Sequence, residues 1–118
     1  MTGKDELGRE GEAIAARYLE DRGYRILARN WRCRRGELDL VAEHGGDTVF
    51  VEVKTRSGLG YGHPFESVTA SKRAKLRSLA ATWCSESGRH ISNIRIDVVA
   101  IVLASGRRPV IEHLSGAC

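Results

Sequence analysis

The sequence predicts an α/β fold: a mixed β-sheet with flanking helices, in the order α-β-β-β-α-β-(β). Three observations carry this. An apolar arc at helical spacing occupies the N-terminal segment. Two runs of period-two alternation then flank His44-Gly45-Gly46-Asp47, a strong hairpin signal. A second helical pattern follows, and it leads into the continuous apolar run Ile94–Leu103.

Each element has its own justification. The first helix spans Asp5 to Arg22, with Leu7, Ile14 and Tyr18 on one arc and Arg9, Glu10, Arg17 and Glu20 opposite. Gly8, Gly11, Ala15 and Leu19 widen the inner arc, Glu12 falls at its edge, and Gly23 is a C-terminal stop. Each inner glycine costs roughly 1 kcal/mol of helix propensity against alanine, which close approach of the helix to a sheet would offset. Tyr24–Asn30 reads as the first strand, followed by the arginine-rich "NWRCRRG". Glu37–Glu43 and Thr48–Thr55 are the arms of the hairpin, since Gly-Gly supplies the positive φ a tight turn needs. Residues 56–67 form a long glycine-rich loop, a length that often marks function. Ala70–Ser87 is the second helix, burying Leu76, Leu79, Ala80 and Trp83 and ending at Gly88. Ile94–Leu103 reads as a central strand, and Val110–Leu114 as a short last one.

The chain has 118 residues, which predicts a single domain, 1–118. Three separated cysteines and four scattered histidines offer neither a disulfide framework nor zinc-ligand spacing. No signal-peptide core or membrane-length apolar run appears. A cytoplasmic protein with no membrane partner is therefore expected. Net charge is only +4, but its distribution is uneven. Residues 22–36 hold six arginines and no acid. Lys72, Arg73, Lys75 and Arg77 lie in a second stretch, 67–85, also without an acid. Two such blocks on a small domain suggest a polyanion, although solvated surface charge is the bland reading of either alone.

The hairpin converts spacing into geometry. A turn centred on Gly45-Gly46 places Asp39 directly opposite Glu52, and Glu37 opposite Lys54. Opposed residues have Cβ atoms about 4.5–5.5 Å apart on one face. Two facing carboxylates must share a proton or hold a cation between them. Lys54 would supply part of that charge and a divalent cation more. Carboxylate oxygens with few other ligands suit Mg²⁺. Glu12 is a candidate third acid. A carboxylate-held metal activates water and stabilises charge on a phosphoryl oxygen, and an adjacent lysine can orient the water or meet the developing charge. These parts fit phosphodiester hydrolysis, with the basic blocks gripping a nucleic-acid backbone.

Other residues read more blandly. Asp97, inside an apolar strand, is expected to be a structural acid bonded to backbone or arginine. Glu37 is either a further metal-shell residue or the salt-bridge partner of Lys54. Trp31 is expected to pack rather than stack on a base, and His63 to be a solvated loop histidine.

The segments "GREGEAIAARYLEDRGYRILARNWRCRRGELDLVA", "VFVEVKTR", "SVTASKRAKL" and "IRIDVVAI" carry a resemblance. With their spacing they cover nearly the whole chain. They resemble the D…E-x-K nucleases of restriction-endonuclease-like fold, and most closely the bacterial YraN family, itself similar to archaeal Holliday-junction resolvases. The resemblance implies a restriction-endonuclease-like core. It implies Mg²⁺ or Mn²⁺ bound by Asp39 and Glu52 with the Val53 carbonyl, Lys54 as catalytic lysine and Glu12 as the helix-borne acid. DNA, in particular branched or recombination and repair intermediates, is the implied substrate. Arg29, Arg32, Arg34, Arg35, Arg56, Lys72, Arg73 and Lys75 are the candidate backbone contacts. Resolvases of similar fold act as dimers, so a homodimer is also implied, though no interface stripe is visible. A non-catalytic nucleic-acid-binding module of the same fold is the alternative, and a protein-interaction domain with a structural acid-lysine cluster a third reading.

Overall fold

A computed structural model of the chain describes residues 3–58, 64–89, 91 and 93–117. Helix α1 runs Gly3–Asp21, and three strands follow: β1 (Arg25–Cys33), β2 (Gly36–His44) and β3 (Asp47–Arg56). A short 3-10 turn at Pro64–Ser67 leads into α2 (Ala70–Ser87), then β4 (Ile94–Val102) and β5 (Val110–Leu114). The strands form one sheet in the order β1-β2-β3-β4-β5. β3 and β4 are parallel and every other pair is antiparallel. This is the mixed sheet and element order of a restriction-endonuclease-like core, as the resemblance implies. Ile94–Val102 is an interior strand between β3 and β5; the central strand is β3.

Two cores, one on each face, hold the helices down. Ala15, Ala16 and Leu19 of α1 pack on Leu40, Ala42, Val49, Val51, Val99 and Ile101. Leu76, Leu79, Ala80 and Trp83 of α2 pack on Leu38, Val41, Phe50 and Ile96. The Phe50 and Trp83 rings meet edge-on with centroids 5.7 Å apart. α2 begins and ends where the sequence predicts. Thr69 caps it by accepting the Lys72 N–H at 3.2 Å, and Gly88 ends it in the left-handed region at φ 68°. The β2–β3 hairpin turns at Gly45 and Gly46, both with positive φ (56° and 87°).

Glycine explains how close α1 lies to the sheet, at one position of the two expected. A Cβ at Gly11 would overlap the side chain of Thr55 on β3, with Thr55 Cγ2 only 2.7 Å away. A Cβ at Gly8 would meet nothing within 4 Å, so Gly8 is not required by packing. The first strand also differs from the sequence reading. It continues through Trp31, Arg32 and Cys33, because these residues pair with Leu38, Glu37 and Gly36 of β2 around the tight turn Arg34-Arg35. Cross-strand pairing satisfies the backbone there whatever the side-chain composition.

β1 and β2 share an irregularity that shapes the site. On β1, Ala28 and Trp31 both pack towards α2, three residues apart instead of two; on β2, Leu38 and Val41 do the same. Between the pairs Arg29↔Leu40 and Trp31↔Leu38 stand Asn30 and Asp39. Asn30 has φ 50°, the only non-glycine residue with positive φ among those described. Asparagine tolerates that region better than most residues. The local turn of both strands breaks the strict alternation at Asp39.

Candidate functional site

That break decides where Asp39 points. The β2–β3 pairing follows the predicted register from His44↔Asp47 to Leu40↔Val51 and ends there. Asp39 lies just beyond the last paired residue, and its carboxyl still meets that of Glu52, as the register predicts. Its Oδ2 accepts the Val53 N–H at 2.8 Å, so the carboxylate lies towards β3 in place of a backbone carbonyl. In an extended residue the N–H and C=O leave the same side of the strand, so the Val53 carbonyl faces the same gap. Burial, then the Glu52 carboxylate, pushes the Asp39 carboxyl up to about 8.

Glu52 lies on the α2 face and is 7% exposed. Two ammonium groups reach the same oxygen: Lys72 Nζ lies 2.8 Å from Oε2 and Lys54 Nζ lies 3.2 Å from it. Burial alone would raise the Glu52 carboxyl, but the Lys72 hydrogen bond and charge, with Lys54 behind them, hold it below its usual value. Burial and the neighbouring Lys72 lower Lys54, while the bond to Glu52 raises Lys72. The two lysines favour negative charge on Glu52, and Asp39 is the harder of the pair to ionise.

On the other side, α1 brings in Glu12. Carboxylate oxygens of Glu12, Glu37 and Asp39 lie within 4.8 Å of one another. Burial, followed by the charge of Glu37, raises the Glu12 carboxyl, while hydrogen bonds with Asp39 and Asn30 work the other way. Glu37 does not pair with Lys54. It accepts from Arg32 Nε at 2.5 Å, because β1 extends far enough to set Arg32 directly across from it. The four acids thus form a band around Asp39: Glu12 and Glu37 on one flank, Glu52 with its lysines on the other. Burial and mutual repulsion leave Asp39 and Glu12 harder to ionise than free carboxylates, so added positive charge would stabilise them. All these donors are oxygens, with the Val53 carbonyl alongside, which fits a hard divalent cation such as Mg²⁺ or Mn²⁺.

The remaining expected residues fall into two groups. Lys72 is drawn into the site, whereas Arg73 and Lys75 are exposed on α2. Lys75 lines a cleft of about 370 Å³ with Gly36, Glu37, Glu52, Thr69 and Lys72. Arg29 borders a smaller hollow with Arg9, Glu12 and Asn30. Arg34 is exposed, Arg56 half-buried, and Arg35 donates to Ser78 Oγ at 3.4 Å. Arg32 is exposed and forms an ion pair with Glu37. Residues 59–63 of the glycine loop, including His63, lie outside the described residues. Trp31 is half-buried and packs against the α2 core.

Asp97 is the structural acid the sequence suggests. It is fully buried and accepts from Tyr24 Oη, Arg95 Nε, His113 Nε2 and the Gly116 N–H at 2.7–3.2 Å. Although burial opposes ionisation, the bonds from His113, Arg95 and Gly116 hold it far below the usual carboxylate range.

Sequence reasoning passed over Asn30 and misplaced Lys72. Asn30 carries only a weak signal, an asparagine within a strand. Lys72 carries a better one. It stands in the first turn of α2, where the helix dipole disfavours a cation, and that turn contains no acid.

Comparison with known proteins identifies relatives along the full length. The model of a family described as Uncharacterised protein family UPF0102 matches residues 11–101. The chain is similar to a UPF0102 protein of Clavibacter michiganensis subsp. michiganensis (strain NCPPB 382), 52% identical over 118 residues that cover 100% of both chains. It is similar to one of Rhodococcus jostii (strain RHA1), 56% identical over 111 residues and 94% of each chain. A third, from Nocardia farcinica (strain IFM 10152), is 54% identical over 94% of this chain and 87% of its own.

Proposed function

The chain belongs to the uncharacterised protein family UPF0102, and from the acidic site we propose that it is a metal-dependent endonuclease acting on DNA. The observation that carries this reading is Asp39: a carboxyl pushed up to about 8, turned in beside Glu52 and the Val53 carbonyl, with Lys54 on the same oxygen of Glu52. A structural role gives no reason to crowd acids at a sheet opening rimmed by arginine and lysine.

Asp39, Glu52 and the Val53 carbonyl would hold Mg²⁺ or Mn²⁺, with Glu12 completing the acidic wall. The cation, when bound, activates water and neutralises charge on the phosphate. Lys54 orients the attacking water and donates to the phosphoryl oxygen as charge develops there. The water oxygen forms a new P–O bond, one P–O ester bond breaks, and the water's proton ends on the leaving oxygen. Arg29, Arg34, Arg56, Arg73 and Lys75 grip neighbouring phosphates, contacts that position a duplex without reading its sequence. Branched and recombination intermediates are the substrate class, and a homodimer would supply two cuts on symmetric strands.

The test incubates pure protein with plasmid, single-stranded and four-way-junction DNA in Mg²⁺ or Mn²⁺. Metal-dependent cleavage that Asp39→Asn abolishes is the expected result. No cleavage of any substrate, or equal cleavage by the variant, sinks the proposal. One observation favours a second reading, a non-catalytic DNA-binding module: two lysines already neutralise Glu52 in the protein alone. Binding that survives EDTA and strengthens in Asp39→Ala, without cleavage, would select it.

A further inference from the structure

Glu52 has one more partner than its strand requires. Lys54 stands two residues along β3 on the same face, so a short tether already gives the carboxylate an ammonium. The second ammonium, Lys72, comes from another element and makes the shorter contact, 2.8 Å against 3.2 Å. Its backbone is fixed by the Thr69 cap, and its side chain crosses the cleft to reach Glu52. The Lys72 side chain is 39% exposed, the Glu52 side chain 9%. The ammonium therefore sits at the mouth of the site and can leave towards solvent without crossing the core.

We propose that Lys72 is a built-in counter-ion of Glu52: it holds this carboxylate while no divalent cation is bound, and releases it to the cation and turns to a DNA phosphate once one binds. The inference rests on reading Asp39 and Glu52 as cation ligands. A buried carboxylate is costly unless its charge is well met, and of the two ammoniums on Glu52 Lys72 makes the closer contact. A divalent ion on this carboxylate opposes both ammoniums by charge; Lys54 is held on β3 beside Glu52, whereas Lys72 reaches in from α2 at the shorter distance and is the one free to swing away. The released lysine keeps its charge at the cleft, next to Lys75, where a backbone phosphate would lie.

Lys72 is thereby a positioning residue whose removal should help the metal bind. Mn²⁺ titrated into the protein at low ionic strength, followed by calorimetry, is the readout, independent of catalysis. Lys72→Met should bind Mn²⁺ roughly tenfold more tightly than wild type, a difference of ~1.4 kcal/mol. Lys75→Met, one turn away on the same cleft, should stay within about twofold if long-range charge alone is screened. Lys72→Arg, which keeps a cation there, should resemble wild type. Equal or weaker Mn²⁺ binding by Lys72→Met overturns the proposal, as does equal tightening in Lys75→Met. If neither wild type nor any variant binds Mn²⁺, the metal reading itself falls and this inference with it. The second half is read from four-way-junction affinity with and without Mn²⁺: wild type should gain more from the metal than Lys72→Met, and an equal gain overturns the hand-over to phosphate.

Discussion

Replacing Asp39 with asparagine should stabilise the protein, and by an amount that depends on pH. The Asp39 carboxyl is pushed up to about 8 from an ordinary 3.8. Between those values the folded state carries a proton that the unfolded chain does not, so stability falls as pH rises through this window. The gap of about four pH units at ~1.4 kcal/mol each would cost about 6 kcal/mol above pH 8 if fully expressed. Asp39 is only partly buried, and solvent screening reduces this to roughly 3 kcal/mol. Asparagine keeps an oxygen to accept the Val53 N–H and removes the titrating group. For a chain of this size that corresponds to a gain in Tm of about 10 °C at pH 8. Near pH 4.5 the wild-type carboxyl is protonated in the folded state, and the gain should shrink to a few degrees. Thermal unfolding by circular dichroism across pH 4.5–8.5 measures both. A lower Tm for Asp39→Asn at pH 8, or a gain that does not change with pH, would refute the electrostatic reasoning.

Three further predictions concern the scaffold. Gly11→Ala should destabilise by about 1–3 kcal/mol through collision with Thr55, and Thr55→Ala in the same chain should recover most of it; a urea double-mutant cycle showing no coupling would contradict this. Asp97→Asn should cost about 3–5 kcal/mol by removing the buried carboxylate that Arg95 and His113 share, leaving Arg95 only Asp47 as an acid partner. Because the folded state holds this carboxyl far below its ordinary value, the loss should be full at neutral pH, with wild type and variant converging only on acidification below about pH 4; convergence already at pH 6 would count against it. Asn30→Ala should cost about 1–2 kcal/mol more than Asn30→Gly, since both lose the side-chain bond to Glu12 and only alanine strains the left-handed backbone; equal Tm values for the two would contradict this.

Local signals carried the elements. The Gly45-Gly46 turn, the Gly88 stop and the Leu76, Leu79, Ala80, Trp83 stripe are short-range patterns, and the structure follows them. What the sequence could not show depends on neighbouring elements. Asp39 meets the Glu52 carboxyl as the hairpin predicts, but it also takes the Val53 N–H where the β2–β3 ladder ends, a bond that no local pattern announces. Glu37 finds Arg32 rather than Lys54 because β1 runs longer than its composition suggests, which is a consequence of pairing and not of propensity. Lys72 read as one more basic residue on an exposed helix face; only the docking of α2 against the sheet brings it to Glu52. Gly8 and Gly11 look alike on the helical arc, yet only Gly11 meets a side chain on the sheet. The acids themselves were legible from the hairpin, while the lysine arrangement around them needed tertiary structure.

The proposed activity depends on a divalent cation at Asp39 and Glu52. Crystals of the protein soaked in Mn²⁺ and measured for anomalous scattering test it most directly. A strong Mn²⁺ peak bounded by Asp39, Glu52 and the Val53 carbonyl, on the side of Glu12, is the expected result, together with its loss in Asp39→Asn. No peak there at saturating Mn²⁺, or a peak that persists in the variant, would contradict it.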